Sequence, residues 1–340
     1  MTSKTLVIYH FFQKDLTYTE NFFHFIRFGY SASLDYVVIV AGNYTVALPQ
    51  FNNLKYVFTE NKNHDYGGYA HVIKSEANLL TYDFFVFINS SVRGPYMPAC
   101  SGRCWAECFT DHLVGDVGLV GSTINILSAQ SVRSKFYRQT YGEKETLSHV
   151  QTMAYALSRK ALMCLMEHDF YGLNDALSKN EVIRDYEIRM SQMIMACRFN
   201  IKCLLPEYNL IDYRVPHRDA NPTSKQGDPS FSHAYFGRTA HPFEVIFVKT
   251  NRQLFSQQYL NRLAYSAFVL TPTPSGLLEN PSFIKYASAI GAVSTSVAEA
   301  PFNPQRSARI RLARLIPKPL RPFWGRLCSL VVGLTPSSRP

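Results

Sequence analysis

The sequence has no apolar run long enough to cross a membrane. Its most apolar C-terminal stretch, LCSLVVGL, has only eight residues, whereas a spanning helix needs about 18 or more. The N-terminal MTSKTLVIYHFFQKD lacks an apolar signal-peptide core followed by a small-residue cleavage site. We therefore expect a cytoplasmic protein without a membrane-spanning segment.

Several catalytic fingerprints are also missing. The chain has no Gly-x-Ser-x-Gly elbow, no Walker phosphate loop and no Gly-x-Gly-x-x-Gly dinucleotide motif, the signatures of α/β-hydrolases, P-loop enzymes and NAD-dependent dehydrogenases. Seven cysteines, an odd number, form no paired framework of the secreted kind, so we expect reduced thiols. Cys100, Cys104 and Cys108 recur every four residues, which favours one helix face over a zinc site.

Basic charge is scarce outside the C-terminus. The net charge is +10. Residues 301–340 contain eight basic residues and no acid, so residues 1–300 carry only about +2 (10 − 8). A body without a basic face predicts no nucleic-acid partner. The eight basic residues are Arg306, Arg309, Arg311, Arg314, Lys318, Arg321, Arg326 and Arg339.

Aliphatic and aromatic residues interleave with this basic charge, as in RIRLARLIPKPLRPFWGRL. Such a segment can lie in the interface of an anionic membrane, so we predict a basic amphipathic tail at 301–340 on a peripheral membrane protein. A solvated tail and a helix packed on the catalytic domain are the alternatives.

Short apolar runs alternate with helical patterns in the first half of the chain. This alternation predicts βαβ units and an α/β, Rossmann-like fold whose mostly parallel sheet is flanked by helices. Strands are predicted at 6–12, 36–41, 54–59, 84–88 and 117–120, and helices at 20–30 and 69–80.

The second half is less regular. It contains helical patterns at 159–166 and 181–198, strand patterns at 201–205 and 243–249, a long polar loop at 214–240 and a loosely structured stretch at 271–305. Long loops without secondary structure are commonly lids or binding loops. We predict a domain at 1–255, an extension or linker at 256–300 and the basic tail at 301–340.

Two polar segments follow predicted strands, where ligands bind in open α/β sheets. The first, Asn61–Tyr69, precedes a predicted helix. Gly67 and Gly68 allow close backbone approach, and the helix N-terminus favours an anion. Asn63 and Asp65 add polar side chains, with Asp65 as a candidate for a ribose hydroxyl or a base. Helix capping by Asp65 is the structural alternative.

The second segment is Asn89–Tyr96, directly after the strand FFVFI. Asn89, Ser90 and Ser91 supply amide and hydroxyl groups, and Arg93 could bind a phosphate with two hydrogen bonds. A polar turn with a surface arginine is the alternative.

Together, NKNHDYGGY, the helix after it and YDFFVFINSSVRGPYMP resemble the donor half of GT-A glycosyltransferases. The similarity is greatest to bacterial polysaccharide enzymes that include rhamnan-synthesis transferases, and it covers about residues 1–255. It implies a nucleotide-sugar donor for a hexosyltransferase-like reaction, with Asp65 near the nucleotide. Asn89–Ser91 then occupy the place of the family's Asp-x-Asp motif, which binds Mn²⁺ or Mg²⁺.

No aspartate stands at that strand end here. Positive charge must still stabilise the leaving diphosphate as the glycosidic bond breaks. Arg93, together with Lys249 or Arg252, could supply it in place of a metal. His241 is a further candidate ligand for a metal or the diphosphate, although a lone histidine is more often structural.

The helix RDYEIRMS resembles the acceptor-side helix of the same family. The resemblance implies Glu187 as the catalytic base, with Asp185 beside it, for an inverting transfer to a glycan or lipid-linked acceptor. From the residues alone, both acids could simply complement the helix dipole. Because the metal motif is missing, a non-catalytic nucleotide- or sugar-binding module is the rival interpretation.

Overall fold

Seven strands form one central sheet. A computed structural model describes residues 3–144, 146–172 and 176–293. In sequence order the sheet strands are β1 (Thr5–Phe12), β2 (Asp35–Ala41), β3 (Leu54–Thr59), β4 (Phe84–Asn89), β6 (Val117–Gly121), β9 (Ala154–Ser158) and β10 (Asn200–Cys203). Their spatial order is β10-β6-β9-β4-β1-β2-β3. Only β9 runs antiparallel to its neighbours, so the predicted α/β class with a mostly parallel sheet is confirmed.

Two short strand pairs lie outside the central sheet. β5 (Val92–Arg93) pairs with β11 (Val248–Lys249), and β7 (Ile124–Leu127) pairs with β8 (Leu147–Val150), both antiparallel. The β5–β11 pair joins the segment after β4 to residues more than 150 positions later. It therefore brings Lys249 to the edge of the sheet where β4 ends.

The central strands are apolar on both faces. In β2 and β4 the residues Tyr36–Ala41 and Phe85–Ile88 are buried without the alternation of a half-exposed strand. Continuous apolar runs of this kind are typical of parallel strands covered by helices on both sides. One apolar cluster fills each face of the sheet.

Ten α-helices lie in the described ranges: α1 (Leu16–Gly29), α2 (His64–Ser75), α3 (Glu107–Thr110), α4 (Val132–Tyr141), α5 (Arg159–Glu167), α6 (Lys179–Val182), α7 (Arg189–Ala196), α8 (Pro242–Val245), α9 (Gln257–Leu270) and α10 (Pro281–Ala289). Helix α1 starts four residues before its predicted start because the Asp15 side chain caps it, accepting from the Tyr18 amide. Its residues Phe22, Phe23 and Phe25 are almost completely buried against the sheet.

The predicted helix 181–198 is interrupted. Between α6 and α7 the segment Ile183–Ile188 is a π-helix. Ser178 and Glu181 form a capping box at the start of α6. Insertion of a wider turn changes which side chains face the sheet, and π-bulges are frequent at functional sites.

Two sequence predictions need correction here. Residues 243–249 are not one strand, because Pro242 starts the helix α8 and only Val248 and Lys249 pair with another strand. Residues 271–293 are not a loose linker: α10 buries Phe283 and Tyr286 in the core that also contains Phe23. One compact unit runs from Met1 to Val293, and the division predicted at 255 stays a prediction.

The cysteine prediction is wrong for one pair. Cys164, in α5, and Cys197, which directly follows α7, form a disulfide with 6.6 Å between their Cα atoms. Cys100, Cys104, Cys108 and Cys203 are free thiols. The predicted basic tail, 301–340, lies outside the described residues. Within those residues, no helix is both long and apolar enough to span a bilayer.

Candidate functional site

Asp65 and Asn89 meet at the carboxyl end of the sheet. Asn89 is the last residue of β4, and Asp65 lies in the first turn of α2, which follows β3. The Nδ2 group of Asn89 donates a hydrogen bond of 2.8 Å to the Asp65 carboxylate. Burial raises the pKa of Asp65 to about 6; the Asn89 hydrogen bond opposes this rise, and the negative charge of Glu187 adds to it.

Ser90 and Ser91, which follow Asn89, contact different parts of the protein. Ser91 donates from its amide (3.1 Å) and its hydroxyl (2.5 Å) to the Asn89 side-chain oxygen, so it fixes the orientation of the amide. Ser90 is buried, and its hydroxyl exchanges hydrogen bonds with the backbone of Phe12 in β1. Ser91 therefore belongs with Asp65 and Asn89 to a cluster that we call the strand-end group, whereas Ser90 holds β4 to β1.

Gly67 and Gly68 in the first segment are required by close packing within the protein. A Cβ at Gly67 would lie 1.9 Å from the Lys62 carbonyl oxygen, and one at Gly68 would lie 2.8 Å from the His10 ring. Helix α2 thus needs both glycines to approach β1 and its own preceding loop. Asn63 precedes α2 in a left-handed conformation with φ 55°, and its side-chain oxygen accepts from the Leu177 amide at 2.8 Å.

Glu187 reaches the same region from the π-helix. The Tyr186 ring beside it stacks on the Tyr66 ring of α2, with ring centroids 4.4 Å apart. The half-buried Glu187 carboxylate interacts electrostatically with Asp65, His149 and Lys249. The fold therefore brings the predicted base to the predicted donor residues.

Lys249 completes the group. It pairs with Val92 in the β5–β11 ladder, and the next residue, Thr250, donates from its amide to the Ser91 carbonyl at 3.2 Å. Burial lowers the pKa of the Lys249 ammonium, and the Glu187 charge opposes this shift. Among the described residues Lys249 forms no ion pair, so its charge is not neutralised by a direct contact.

Arg252 is paired, unlike Lys249. Its guanidinium donates to the Asp228 carboxylate at 2.8 Å and to the Ser230 hydroxyl at 2.5 Å. Burial raises the pKa of Asp228, but the Arg252 charge and the Ser230 hydroxyl outweigh burial and hold that pKa below its usual value. Gln151 also donates to Asp228 at 2.9 Å. Arg252 therefore anchors the 214–240 loop.

The sequence did not single out Asp228. The only signal was its place in the long polar loop, next to Gly227. That glycine has φ +84°, and a Cβ there would lie 1.8 Å from the Ile126 carbonyl oxygen. The Gly227 carbonyl in turn accepts from the Ile126 amide at 3.0 Å, which pins the loop against β7.

Arg93 lies away from the strand-end group. Its side chain is fully buried, and its guanidinium donates to Glu20 (2.7 Å), Asn21 (2.9 Å) and Asn261 (3.0 Å). These contacts join β5 to α1 and α9. Most of the donors of Arg93 are thus committed within the protein, and the structure does not bring Arg93 to the predicted phosphate site.

Asp185 also lies apart from Glu187. Its buried carboxylate forms a two-pronged ion pair with Arg184, at 2.5 and 2.8 Å, and accepts from the Tyr141 hydroxyl at 2.8 Å. These contacts tie the π-helix to α4. The two acids lie two residues apart in the chain, and helical side chains at that spacing face different neighbours.

His241 caps α8. Its Nδ1 accepts from the Phe243 amide at 3.2 Å, and its Nε2 lies 2.8 Å from the Tyr259 hydroxyl. Both ring nitrogens are thus engaged within the protein. These contacts fit a structural role for His241, which was the alternative to a role as a metal or diphosphate ligand.

Two buried histidines flank the strand-end group and were not predicted. Burial lowers the pKa of His10 to about 3 and also lowers that of His149, so both rings are neutral near pH 7. Within the described ranges neither His10 Nε2 nor His149 Nδ1 makes a hydrogen bond. Buried polar atoms without a partner are uncommon in folded proteins.

The strand-end donor set does not fit Mn²⁺ or Mg²⁺. These ions favour carboxylate oxygens, whereas two of the three side chains that hydrogen-bond one another at the strand end, Asn89 and Ser91, are neutral. The Asn89 oxygen already accepts twice from Ser91. In the described part of the chain, the convergent group of three potential ligands lies elsewhere, at Cys164, His168 and Cys197.

One sizeable cavity lies away from this site. It has a volume of about 470 Å³ and lies between α1, α9 and residues 95–105, and none of the predicted site residues lines it. A much smaller cavity is lined by Lys249, Thr123 and Ser230, among others. The predicted site residues therefore lie at the sheet edge and not in the cavity between α1 and α9.

No protein-family profile matches the chain, and no curated protein matches it either. Among solved structures it is similar to the bifunctional glycosyltransferase WbbM in its apo form, at 13% identity over 60% of this chain and 39% of that one, with a TM-score of 0.32. It is also similar to the galactosyltransferase LgtC in complex with donor and acceptor sugar analogues, at 12% identity over 80% and 98%, with a TM-score of 0.38.

A third similar structure is the glycosyltransferase GlyE of Streptococcus pneumoniae, at 11% identity over 62% of this chain and 47% of that one, with a TM-score of 0.27. The match thus spans less than half of WbbM and of GlyE. All three neighbours are glycosyltransferases, but similarities this low establish no shared activity. The functional proposal rests on the site residues.

Proposed function

We propose that this chain is a GT-A-type glycosyltransferase that moves a sugar from a nucleotide-sugar donor to a glycan or lipid-linked acceptor in cell-surface polysaccharide synthesis. One observation carries the proposal. Asp65, Asn89, Glu187 and Lys249 come from four separate segments and gather at the carboxyl end of a mostly parallel sheet. Ligands of open α/β sheets bind at this edge. The sequence resemblance assigns Asp65 and Asn89 to the donor site and Glu187 to proton transfer, and Lys249 was a candidate cation for the diphosphate.

In the proposed reaction each residue has a distinct role. Asp65 and Asn89 contact the nucleotide and the donor sugar. The acceptor hydroxyl attacks the anomeric carbon, the bond from that carbon to the diphosphate breaks, and Glu187 takes the hydroxyl proton. Lys249 stabilises the diphosphate that leaves, as a preorganised cation at the developing charge. A single displacement of this kind inverts the configuration.

A thermal-shift screen over nucleotide sugars, with Mn²⁺, with Mg²⁺ and with EDTA, tests donor binding. A ligand that binds only the folded state raises the melting temperature by mass action. We expect one class of nucleotide sugar to stabilise the protein, with the shift retained in EDTA. Lys249→Met should remove the shift, and Lys74→Met, at an exposed lysine of α2, should keep it. Absence of any stabilising nucleotide sugar would contradict the proposal.

We also propose that residues 301–340 attach the enzyme peripherally to the inner face of an anionic membrane, near a lipid-linked acceptor. Deleting 301–340 should abolish sedimentation with anionic vesicles while transfer to a soluble acceptor continues. If the deletion abolishes transfer itself, the tail is part of the working site and the membrane role is wrong.

A further inference from the structure

Three side chains with metal-binding atoms converge where α5 ends and α7 ends. One ligand atom from each of Cys164, His168 and Cys197 lies within 4.8 Å of the other two. Cys164 and His168 are four residues apart, which places them on the same face at the end of α5. The group lies outside the strand-end site and is independent of the proposed function.

We propose that this group binds Zn²⁺ when its cysteines are reduced, so that the disulfide and the zinc complex are alternative states of one site. Two thiolates and one imidazole are ligands that zinc prefers, and three protein ligands leave a fourth position for water. His168 is exposed and Cys197 half-buried, so the open position faces solvent.

The backbone geometry suits both states. The Cα atoms of Cys164 and Cys197 are 6.6 Å apart, near the upper end of the range for disulfides, about 4.4–6.8 Å. Two zinc-bound sulfurs lie farther apart than two bonded ones, because each stands about 2.3 Å from the metal in a tetrahedral arrangement. The wide Cα spacing leaves room for that separation with side-chain rotation alone.

His168 is oriented for this role. Its Nδ1 lies 2.9 Å from the Cys164 carbonyl oxygen, which fixes the ring and leaves Nε2 for the metal. A metal-bound histidine commonly donates its other ring N–H to a carbonyl in this way. The carbonyl contact thus supplies the supporting hydrogen bond of a zinc ligand.

The two states interconvert by balanced chemistry. An external dithiol transfers two electrons and two protons to the disulfide, giving two thiols and an oxidised dithiol. Zn²⁺ then binds both sulfurs as thiolates and releases their two protons. Both states join α5 to α7, the helix that continues the π-segment carrying Glu187.

Cobalt substitution in the reduced, full-length protein tests the proposal. Co²⁺ bound to thiolates in a tetrahedral site gives a charge-transfer band and strong visible bands, and Zn²⁺ should displace it stoichiometrically. We expect a Zn²⁺ Kd of about 1 µM or lower. Without prior reduction, the bands should be absent.

His168→Asn should weaken metal binding at least about tenfold, and Cys164→Ser should remove the charge-transfer band. The matched controls are His71→Asn and Cys100→Ser, at exposed positions outside the group. His168→Asn leaves both cysteines in place, so it tests the site even if Cys164→Ser fails to fold. Unchanged binding in His168→Asn, or no thiolate band in the reduced wild type, overturns the proposal.

Discussion

The Asn89 side-chain amide donates to the Asp65 carboxylate across 2.8 Å, joining the end of β4 to the first turn of α2. This contact stabilises the ionised form of Asp65, yet burial still raises the pKa of that carboxyl to about 6. The strand-end group thus contains an acid that titrates close to neutral pH. Perturbed acids of this kind cluster at functional sites.

The pKa of Asp65 predicts a pH-dependent stability. Because the folded-state pKa, about 6, exceeds the unfolded value, the folded state binds more protons between about pH 4 and 6, and stability falls as pH rises through that window. Asp65→Asn should therefore raise the free energy of unfolding by about 1–3 kcal/mol at pH 7. At pH 3.5 the variant and the wild type should have the same free energy of unfolding.

Urea denaturation at the two pH values measures this difference. Glu60→Gln is the control, because Glu60 is an exposed acid in the connection between β3 and α2. It should change the free energy of unfolding at neither pH. A gain for Asp65→Asn that is equal at both pH values would show that ionisation of Asp65 is not its source.

The charge of Lys249 should make the folded protein less stable when no donor is bound. Burial lowers the folded-state pKa of Lys249 below its unfolded value of 10.5. The charged form therefore costs stability at neutral pH, and this cost disappears as pH rises from the folded-state pKa to 10.5. Lys249→Met should increase the unfolding free energy at pH 7 while it abolishes donor binding. Denaturation and calorimetric titration with the donor measure the two effects. A variant that is destabilised at pH 7 and still binds donor would contradict both parts.

Arg93 should matter for stability and not for donor affinity. Its guanidinium is buried and paired with the part-buried Glu20, and removing one member of such a pair costs up to about 3–5 kcal/mol because the other charge loses its partner. Arg93→Gln should show this loss in chemical denaturation. Measured below its melting temperature, the variant should bind the donor with an unchanged Kd. A Kd raised tenfold with little loss of stability would restore Arg93 as a phosphate ligand.

The disulfide between Cys164 and Cys197 should stabilise the fold. The two residues are 33 positions apart, and cross-linking a loop of this length typically contributes about 2–4 kcal/mol. Replacing both by serine should lower the unfolding free energy by that amount, and Cys100→Ser should leave it unchanged. Thiol titration of the unreduced, denatured protein should find two groups fewer than after reduction. Equal thiol counts would show that the pair is not oxidised.

Much of the fold follows from the sequence, for a physical reason. Strands such as β2 and β4 are continuous apolar runs, and such runs leave few alternatives to a buried strand. Polar residues directly after β3 and β4 were expected at one sheet edge, and Asp65 and Asn89 do lie together there.

Pairings between distant residues did not follow from the sequence. A basic residue near a strand end can bind phosphate or form an internal ion pair, and only the packed structure distinguishes the two. Arg93 pairs with Glu20, 73 positions away, and Arg252 pairs with Asp228 in the polar loop. The π-helix at Ile183–Ile188 likewise has no signal in apolar spacing.

The central claim is that Glu187 takes the proton of the acceptor while the donor binds independently of it. The most direct test compares Glu187→Gln with Asp185→Asn, a neighbouring acid that contacts Arg184 and Tyr141 instead. Turnover of the stabilising nucleotide sugar and its Kd are measured for both variants. We predict that Glu187→Gln loses at least about 10²-fold in kcat with an unchanged Kd, whereas folded Asp185→Asn retains turnover. Turnover in Glu187→Gln equal to that of the wild type, or a wild type that binds donor and turns over none with any acceptor, would contradict the account.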